Sequence, residues 1–409
     1  MSKKNLAHGV ISAPVIVAAL GYFVDIYDLL LFSIVRRPSL VDLGVSESTL
    51  VSEGILLLNM QMAGMLIGGL LWGILGDKKG RLSVLFGSIL MYSLANLANG
   101  MVQNLDQYAW LRFIAGIGLA GELGAGITLV AEVLPKEKRG YGTTLIATIG
   151  MLGAVVAYFV AATFDWRIAY FIGGGMGLCL LLLRVGVYES GVYAKMKQEM
   201  VSRGNFLSLF TKIDRLKRYA ACIFIGIPIW FVVGILITFS PEFAKEMGLT
   251  IDVSAGKAVM YCYLGLALGD LASGLLSQVL RTRKKVVLAF VLLCMFAVLL
   301  YLWMPFGTVF FFYSCCLFLG FSSGYWALFV TMAAEQFGTN LRATVTTTVP
   351  NFIRGTVIPL TISFEFFRSL TGNMIQAASV TGLLVFLITF LAYTGLRETF
   401  TADLNFNEP

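Results

Sequence analysis

Asp25 and Asp28 stand three residues apart inside a long apolar run, so on a helix they share one face. Two neighbouring carboxylates in a membrane resist simultaneous ionisation, and one of them can hold a proton reversibly. Proton coupling is the chemistry that this pair suits; the plainer alternative is a solvated funnel at the outer end of the helix. Glu122, midway along another apolar run, is a third candidate. It would pair with Arg112 or with a substrate cation, or take the proton itself. Arg112 stays charged at any accessible pH, so it needs a carboxylate, backbone oxygens or an anionic substrate. A structural ion pair and substrate binding both remain open for it. Further along, Asp270 and Arg354 are read as neutralising one another, with Glu365 nearby in the chain.

The uncharged candidates are aromatic or amide side chains. Tyr22, Trp230, Tyr261, Tyr263, Tyr325 and Trp326 suit the wall of a pocket, although aromatics in membrane helices also serve as packing and interface anchors. Asn59, Gln61 and Asn351 suit the orientation of a small polar solute, or hydrogen bonds between helices. The only histidine is His8, ahead of the first apolar run, which rules out histidine relays and Ser-His-Asp triads within the spans. The six cysteines all lie in apolar segments without paired spacing, so neither disulfides nor a zinc site is expected. With no nucleotide loop or catalytic motif either, the chain reads as a non-enzyme without cofactor or metal.

The elements that position these residues are membrane helices. Of the 409 residues, 58% are hydrophobic and only 13% charged, with a mean hydropathy of +0.84. A soluble protein carries about a quarter of its residues charged. The apolar residues fall into twelve blocks: 12–34, 51–76, 82–102, 106–133, 141–162, 167–187, 218–240, 256–280, 284–304, 306–334, 342–363 and 373–395. The first lacks a small-residue cleavage site and reads as a retained helix. The expected fold is therefore an all-α membrane protein of twelve helices in two six-helix halves, 1–187 and 218–409. A basic segment, 188–217, joins them along the lipid surface.

Arg36, Arg37, Arg167, Lys245, Lys257 and Arg368 fall on one side of this topology, while Arg112, Arg184 and Arg354 lie within spans. The remaining 21 of the 30 basic residues fall on the other side, which the positive-inside rule makes cytoplasmic, together with both termini. The net charge of +7 thus reflects topology and not a nucleic-acid partner.

Between the second and third blocks, residues 73–81 read Gly-Ile-Leu-Gly-Asp-Lys-Lys-Gly-Arg. A loop this short and charged reads as a latch. Gly73 permits close approach, Asp77 would meet the start of the eleventh helix near Arg342, and Arg81 would pair with Glu132 beside Arg139. The halves echo one another: Ala131-Glu132 followed by Arg139 matches Ala334-Glu335 followed by Arg342. Gly-Leu-Leu at 69–71 likewise matches Gly-Leu-Leu at 274–276, at a closely similar offset. Parallel repeats are what a rocking transporter needs.

The loop at 73–81 resembles the loop between the second and third helices of the major facilitator superfamily. Residues 111–140, from Leu-Arg-Phe-Ile-Ala-Gly to Lys-Glu-Lys-Arg-Gly, are similar to the fourth helix and following loop of its metabolite:proton symporter and sugar porter branches. Tyr22-Phe-Val-Asp-Ile-Tyr-Asp28 resembles the acidic first-helix signature of those symporters and of aromatic-acid symporters. Leu183-Arg184 with Glu189-Ser190 resembles the end of their sixth helix, with Gly191 where a proline is usual. The fifth helix lacks the Gly-Pro motif of drug:proton antiporters, which favours uptake over efflux. The resemblance implies alternating access about a midplane site lined mainly by the first, fourth, seventh and tenth helices. The expected activity is import of a small polar metabolite, an organic acid or amino acid, with a proton, by a monomer in the bacterial inner membrane. A proton-coupled exporter or facilitator of the same fold is the alternative, as is a membrane substrate sensor.

Overall fold

The computed structural model describes residues 13–79, 81–122, 139–189, 206–249, 252–305, 307–400 and 408. Glu132 lies outside these residues, as do the side chains of Asp77, Arg81, Arg139 and Arg342. The first half comprises α1 (Ala13–Asp42), α2 (Leu50–Lys79), α3 (Arg81–Asn99), α4 (Leu105–Leu119), α5 (Arg139–Thr163) and α6 (Trp166–Glu189). In the second half α7 runs in pieces, Ile213–Phe224, Ile227–Phe231, the π-turn Val232–Ile237 and Ser240–Glu246. It is followed by α8 (Ala255–Leu280), α9 (Lys284–Trp303), α10 (Val309–Ser323 and Trp326–Glu335), α11 (Thr339–Gly355 and Val357–Thr371) and α12 (Met374–Gly395). Nine of these are long and apolar enough to cross a bilayer by length and composition among the described residues; α3, α4 and α11 are shorter or broken.

Four of the six even-numbered helices, which begin on the face carrying the α1–α2 turn, share one starting device. Asn104, Ser254, Thr308 and Asn373 each accept a backbone N–H three residues on, capping α4, α8, α10 and α12. We call this end the turn face, and the end where the two halves are joined the linker face. Within each half the same helices pair closely: α2 on α4 in the first, α8 on α10 in the second. Glycines permit it. A Cβ at Gly116 would stand 3.1 Å from the Met65 nitrogen, and one at Gly265 would stand 2.8 Å from the Phe321 nitrogen. The interface between halves repeats the symmetry, α2 against α11 and α5 against α8.

Among the described residues, side chains bridge that interface from the turn face towards the linker face. At the turn face Arg36 on α1 pairs with Glu242 on α7, and Thr238 donates to Ser33 at 3.0 Å. Arg36 is fully buried because α1 continues to Asp42, eight residues past the end that hydropathy suggests; it is not a loop residue. Nearer the middle, Thr361 donates to Asn59 at 2.8 Å, and towards the linker face Asn351 donates to the Ala120 carbonyl at 2.9 Å. On the linker face the chain beyond α12 straps the second half: Glu398 accepts the N–H groups of Arg283 and Lys284 and the Thr282 hydroxyl, while Glu408 pairs with Arg218 at 3.0 Å.

Candidate functional site

Between the halves lies a cavity of about 20 Å³, room for about one water. Its wall is aromatic and aliphatic, with a single charge. Tyr22 and Ile26 come from α1, Trp230 from α7, Tyr263 and Leu266 from α8, Trp326 from α10 and Arg354 from α11. Tyr22 and Ile26 are four apart, as are Ile229 and Val233 on α7, so the helical repeat sets which side chains face inward. Arg354 is buried, its guanidinium 5.8 Å from the Trp326 ring centroid. Its Nη2 lies 3.6 Å from Asp25 Oδ2, an ion pair between α1 and α11 that joins the two halves at the edge of the cavity. Among the described residues, neither Asp25 oxygen accepts a hydrogen bond, and Nε and Nη1 of Arg354 donate none. The arrangement is one cation and one carboxylate in contact, each with unused hydrogen-bonding capacity, where a small aromatic-walled space opens beside them.

Two pairings expected from the sequence are different here. Arg354 meets Asp25, not Asp270. Asp270 instead accepts the backbone N–H of Ala327 at 3.1 Å, at the start of the second piece of α10. Glu122 does not meet Arg112; it forms a buried pair with Arg184, whose Nη1 donates to Glu122 Oε2 at 3.0 Å and to the Leu85 carbonyl at 3.3 Å. Arg112 turns into the first half. It hydrogen-bonds Gln61 and Tyr170, and its guanidinium lies 4.5 Å from the Phe32 ring centroid. Among the described residues α4 contributes nothing to the cavity wall, which α5, α8 and α11 share with α1, α7 and α10. Arg112 on α4, and Glu122 three residues past its end, find these partners because α4 is pressed between α2 and α3 in the same half.

Asp28 is fully buried near Asn96 of α3 and against Gly173 of α6, away from Arg354. The solvated outer funnel considered for the aspartate pair is not what forms: both are at zero exposure. Of the aromatic candidates, Tyr22, Trp230 and Trp326 line the cavity, whereas Tyr325 points away and donates to the Ile225 carbonyl at 3.0 Å. Asn59 and Asn351 tie the halves together, and Gln61 serves Arg112. Glu335 pairs with Arg283 at 2.6 Å, and Gly73 approaches Thr348 of α11. Asp77, Arg81, Glu132, Arg139 and Arg342 fall outside the described side chains. Tyr263, one of the aromatics that suit a pocket wall, also lines the cavity, whereas Arg354, read from sequence as a structural partner of Asp270, is the lining residue that the sequence does not single out. The signal for Arg354 was its charge within a span, which pointed equally well to a structural pair.

Known proteins resemble this chain in sequence and in fold. The family model described as Major Facilitator Superfamily matches residues 18–355. The niacin transporter NiaP of Acinetobacter baylyi is 26% identical over 371 residues, covering 80% of each chain. The 3-(3-hydroxy-phenyl)propionate transporter of Escherichia coli is 30% identical over 223 residues, 53% of this chain and 54% of the relative. Among solved structures, the proton:xylose symporter XylE superposes with a TM-score of 0.69 at 15% identity, covering 95% of this chain and 96% of that one, a likeness of fold.

Proposed function

This chain belongs to the major facilitator superfamily, and from that premise we propose that it imports a small aromatic organic acid together with one proton. The observation that carries the reading is the ion pair Asp25–Arg354 at the edge of an aromatic-walled cavity between the halves. A buried charge left without a partner costs about 3–5 kcal/mol, so the halves close readily only when the site is neutral. Two fillings meet that condition. The empty site is neutral when ionised Asp25 pairs with Arg354. The loaded site is neutral when Asp25 is protonated and a substrate carboxylate takes its place on Arg354. A substrate anion without the proton leaves an excess negative charge, and the proton without the anion leaves bare Arg354. Both are excluded from crossing.

Import is thereby coupled one proton to one monoanion, with no net charge moved. The free Nε–H and Nη1–H of Arg354 supply the donors a carboxylate needs. Tyr22, Trp230, Tyr263 and Trp326 supply ring faces and edges for a planar body. The two relatives named for niacin and for a hydroxyphenylpropionate support an aromatic substrate. The reading puts the protein in the bacterial cytoplasmic membrane with both termini inside, on the charge asymmetry of its loops. It takes the monomer as the working unit, since every residue invoked belongs to one chain.

The test is uptake into proteoliposomes with an inward proton gradient, using radiolabelled niacin and 3-hydroxyphenylpropionate. Asp25→Asn should abolish accumulation above equilibrium and keep exchange across the membrane. Accumulation that survives in Asp25→Asn overturns the assignment and transfers the proton to Asp28.

A further inference from the structure

We propose that Asp270 is a positioning residue: it holds the second piece of α10 so that Trp326 stands against Arg354, and so sets the affinity of the substrate site. This rests on the reading of that cavity as the substrate site. Asp270 is buried on α8 and makes no ion pair among the described residues, an expensive condition for a carboxylate in a membrane. What it meets is a helix start. α10 stops at Ser323 and resumes at Trp326, and Asp270 Oδ1 accepts the Ala327 N–H at 3.1 Å. The exposed donors and positive dipole end of the ten-residue second piece compensate its charge.

Two further contacts show that the break is held from outside α10. Gly324 closes onto Gly269 and Asp270, with a Cβ there standing 2.6 Å from the Asp270 nitrogen, so α8 and the break meet backbone to backbone. The Tyr325 hydroxyl reaches Ile225, which is itself the break between the first two pieces of α7. Leu266, one turn before Asp270, lines the cavity with Trp326. Asp270 therefore does not touch the cavity but fixes the residue that does. Trp326 is the first residue of the second piece, and its ring is the only one over Arg354 among the described cation–π contacts. A substrate carboxylate that takes the place of Asp25 on Arg354 finds Trp326 already set beside its anchor.

The experiment compares wild type with Asp270→Asn and Asp270→Ala, first by hydrogen exchange and mass spectrometry of the purified full chain. Asn keeps an accepting oxygen and loses the charge; Ala loses both. In Asp270→Ala the peptide spanning 324–332 should exchange faster while that spanning 309–320 does not, and Asp270→Asn should follow wild type. Binding of niacin and 3-hydroxyphenylpropionate, read by quenching of tryptophan fluorescence, should weaken about five-fold or more in Asp270→Ala, the size of a lost helix cap. Asp270→Asn should restore it. Unchanged exchange in Asp270→Ala overturns the proposal, as does an Asn variant as impaired as Ala, which would assign the role to charge. Faster exchange with unaltered affinity for an acid that wild type binds overturns it also. Should wild type bind neither acid, the substrate reading fails, while the exchange comparison still decides whether Asp270 holds the break.

Discussion

Arg36 Nη2 lies 2.6 Å from Glu242 Oε1, joining the turn-face ends of α1 and α7 across the two halves. The guanidinium also lies 4.4 Å from the Phe239 ring centroid, and its side chain is all but fully buried. Opening the turn face must separate this pair and let water reach Arg36. Glu242→Gln removes the partner and leaves the cation buried, at a cost of about 3 kcal/mol to the closed turn face. The population should move towards the turn-face-open form. Alkylation of a cysteine placed at Ser33, beside the pair, checks this: the rate should rise in Glu242→Gln. An unchanged rate would mean that the remaining contacts hold the face shut without it.

Arg354→Lys keeps a cation but loses the fork of donors that a carboxylate engages. Hydrogen bonds to a charged group contribute about 1.5–3 kcal/mol, so KM for the transported acid should rise about ten-fold to a hundred-fold. Arg112→Lys, remote from the cavity, should leave KM near wild type in the same uptake assay.

Glu122 and Arg184 compensate each other inside the first half, against Gly21 of α1. Glu122→Leu should lower the melting temperature of the purified protein sharply, because Arg184 loses its carboxylate. Glu122→Leu with Arg184→Leu should recover most of the loss, as removal of both charges of a buried pair does. A single variant as stable as the double would show that the pair contributes little.

Glu398, beyond the last span, has its carboxyl group held at about 2 against an ordinary value of 4.5. Partial burial pushes it upward, but hydrogen bonds from Thr282 and from the N–H groups of Arg283, Phe400 and Thr399 outweigh that. A carboxylate whose value is depressed on folding stabilises the protein above its unfolded value, and that contribution fades as pH falls from about 4.5 towards 2. Wild type should thus lose melting temperature between pH 5 and pH 3 more steeply than Glu398→Gln, by about the amount that one such group can supply. Parallel curves would mean that the strap does not depend on this charge.

Arg283 and Glu335 meet at 2.6 Å on the linker face, where the second half repeats the sequence of the first. The repeat carries the expectation that Arg81 and Glu132 form the same contact. Reversing the charges singly at Arg81 or Glu132 should impair transport, and reversing both should restore it in part. Asp77→Asn should lengthen the distance between spin labels on the linker-face ends of the two halves. A double reversal no better than either single one would separate the two loops in function despite their likeness.

Much of this protein is determined by its sequence alone. Apolar blocks of about twenty residues leave the backbone no option in lipid but a helix, so the number and order of the spans follow from composition. The basic loops set their expected direction, and the echoed Ala-Glu and Gly-Leu-Leu segments reveal the repeat. Asp25, Arg112, Glu122, Asp270 and Arg354 are likewise conspicuous as charges within apolar runs. Which of them pair is another matter. Spacing along a helix says which side chains share a face, but Asp25 and Arg354 are more than three hundred residues apart and on different halves. Their meeting depends on how α1 and α11 are rotated and packed, which many small contacts decide together. The close α2–α4 packing turns Arg112 towards Gln61 and Tyr170, the break in α10 offers Asp270 backbone donors, and Arg354 is left to Asp25. Ion pairs act over a few ångströms, so only the tertiary structure could choose among equally charged candidates.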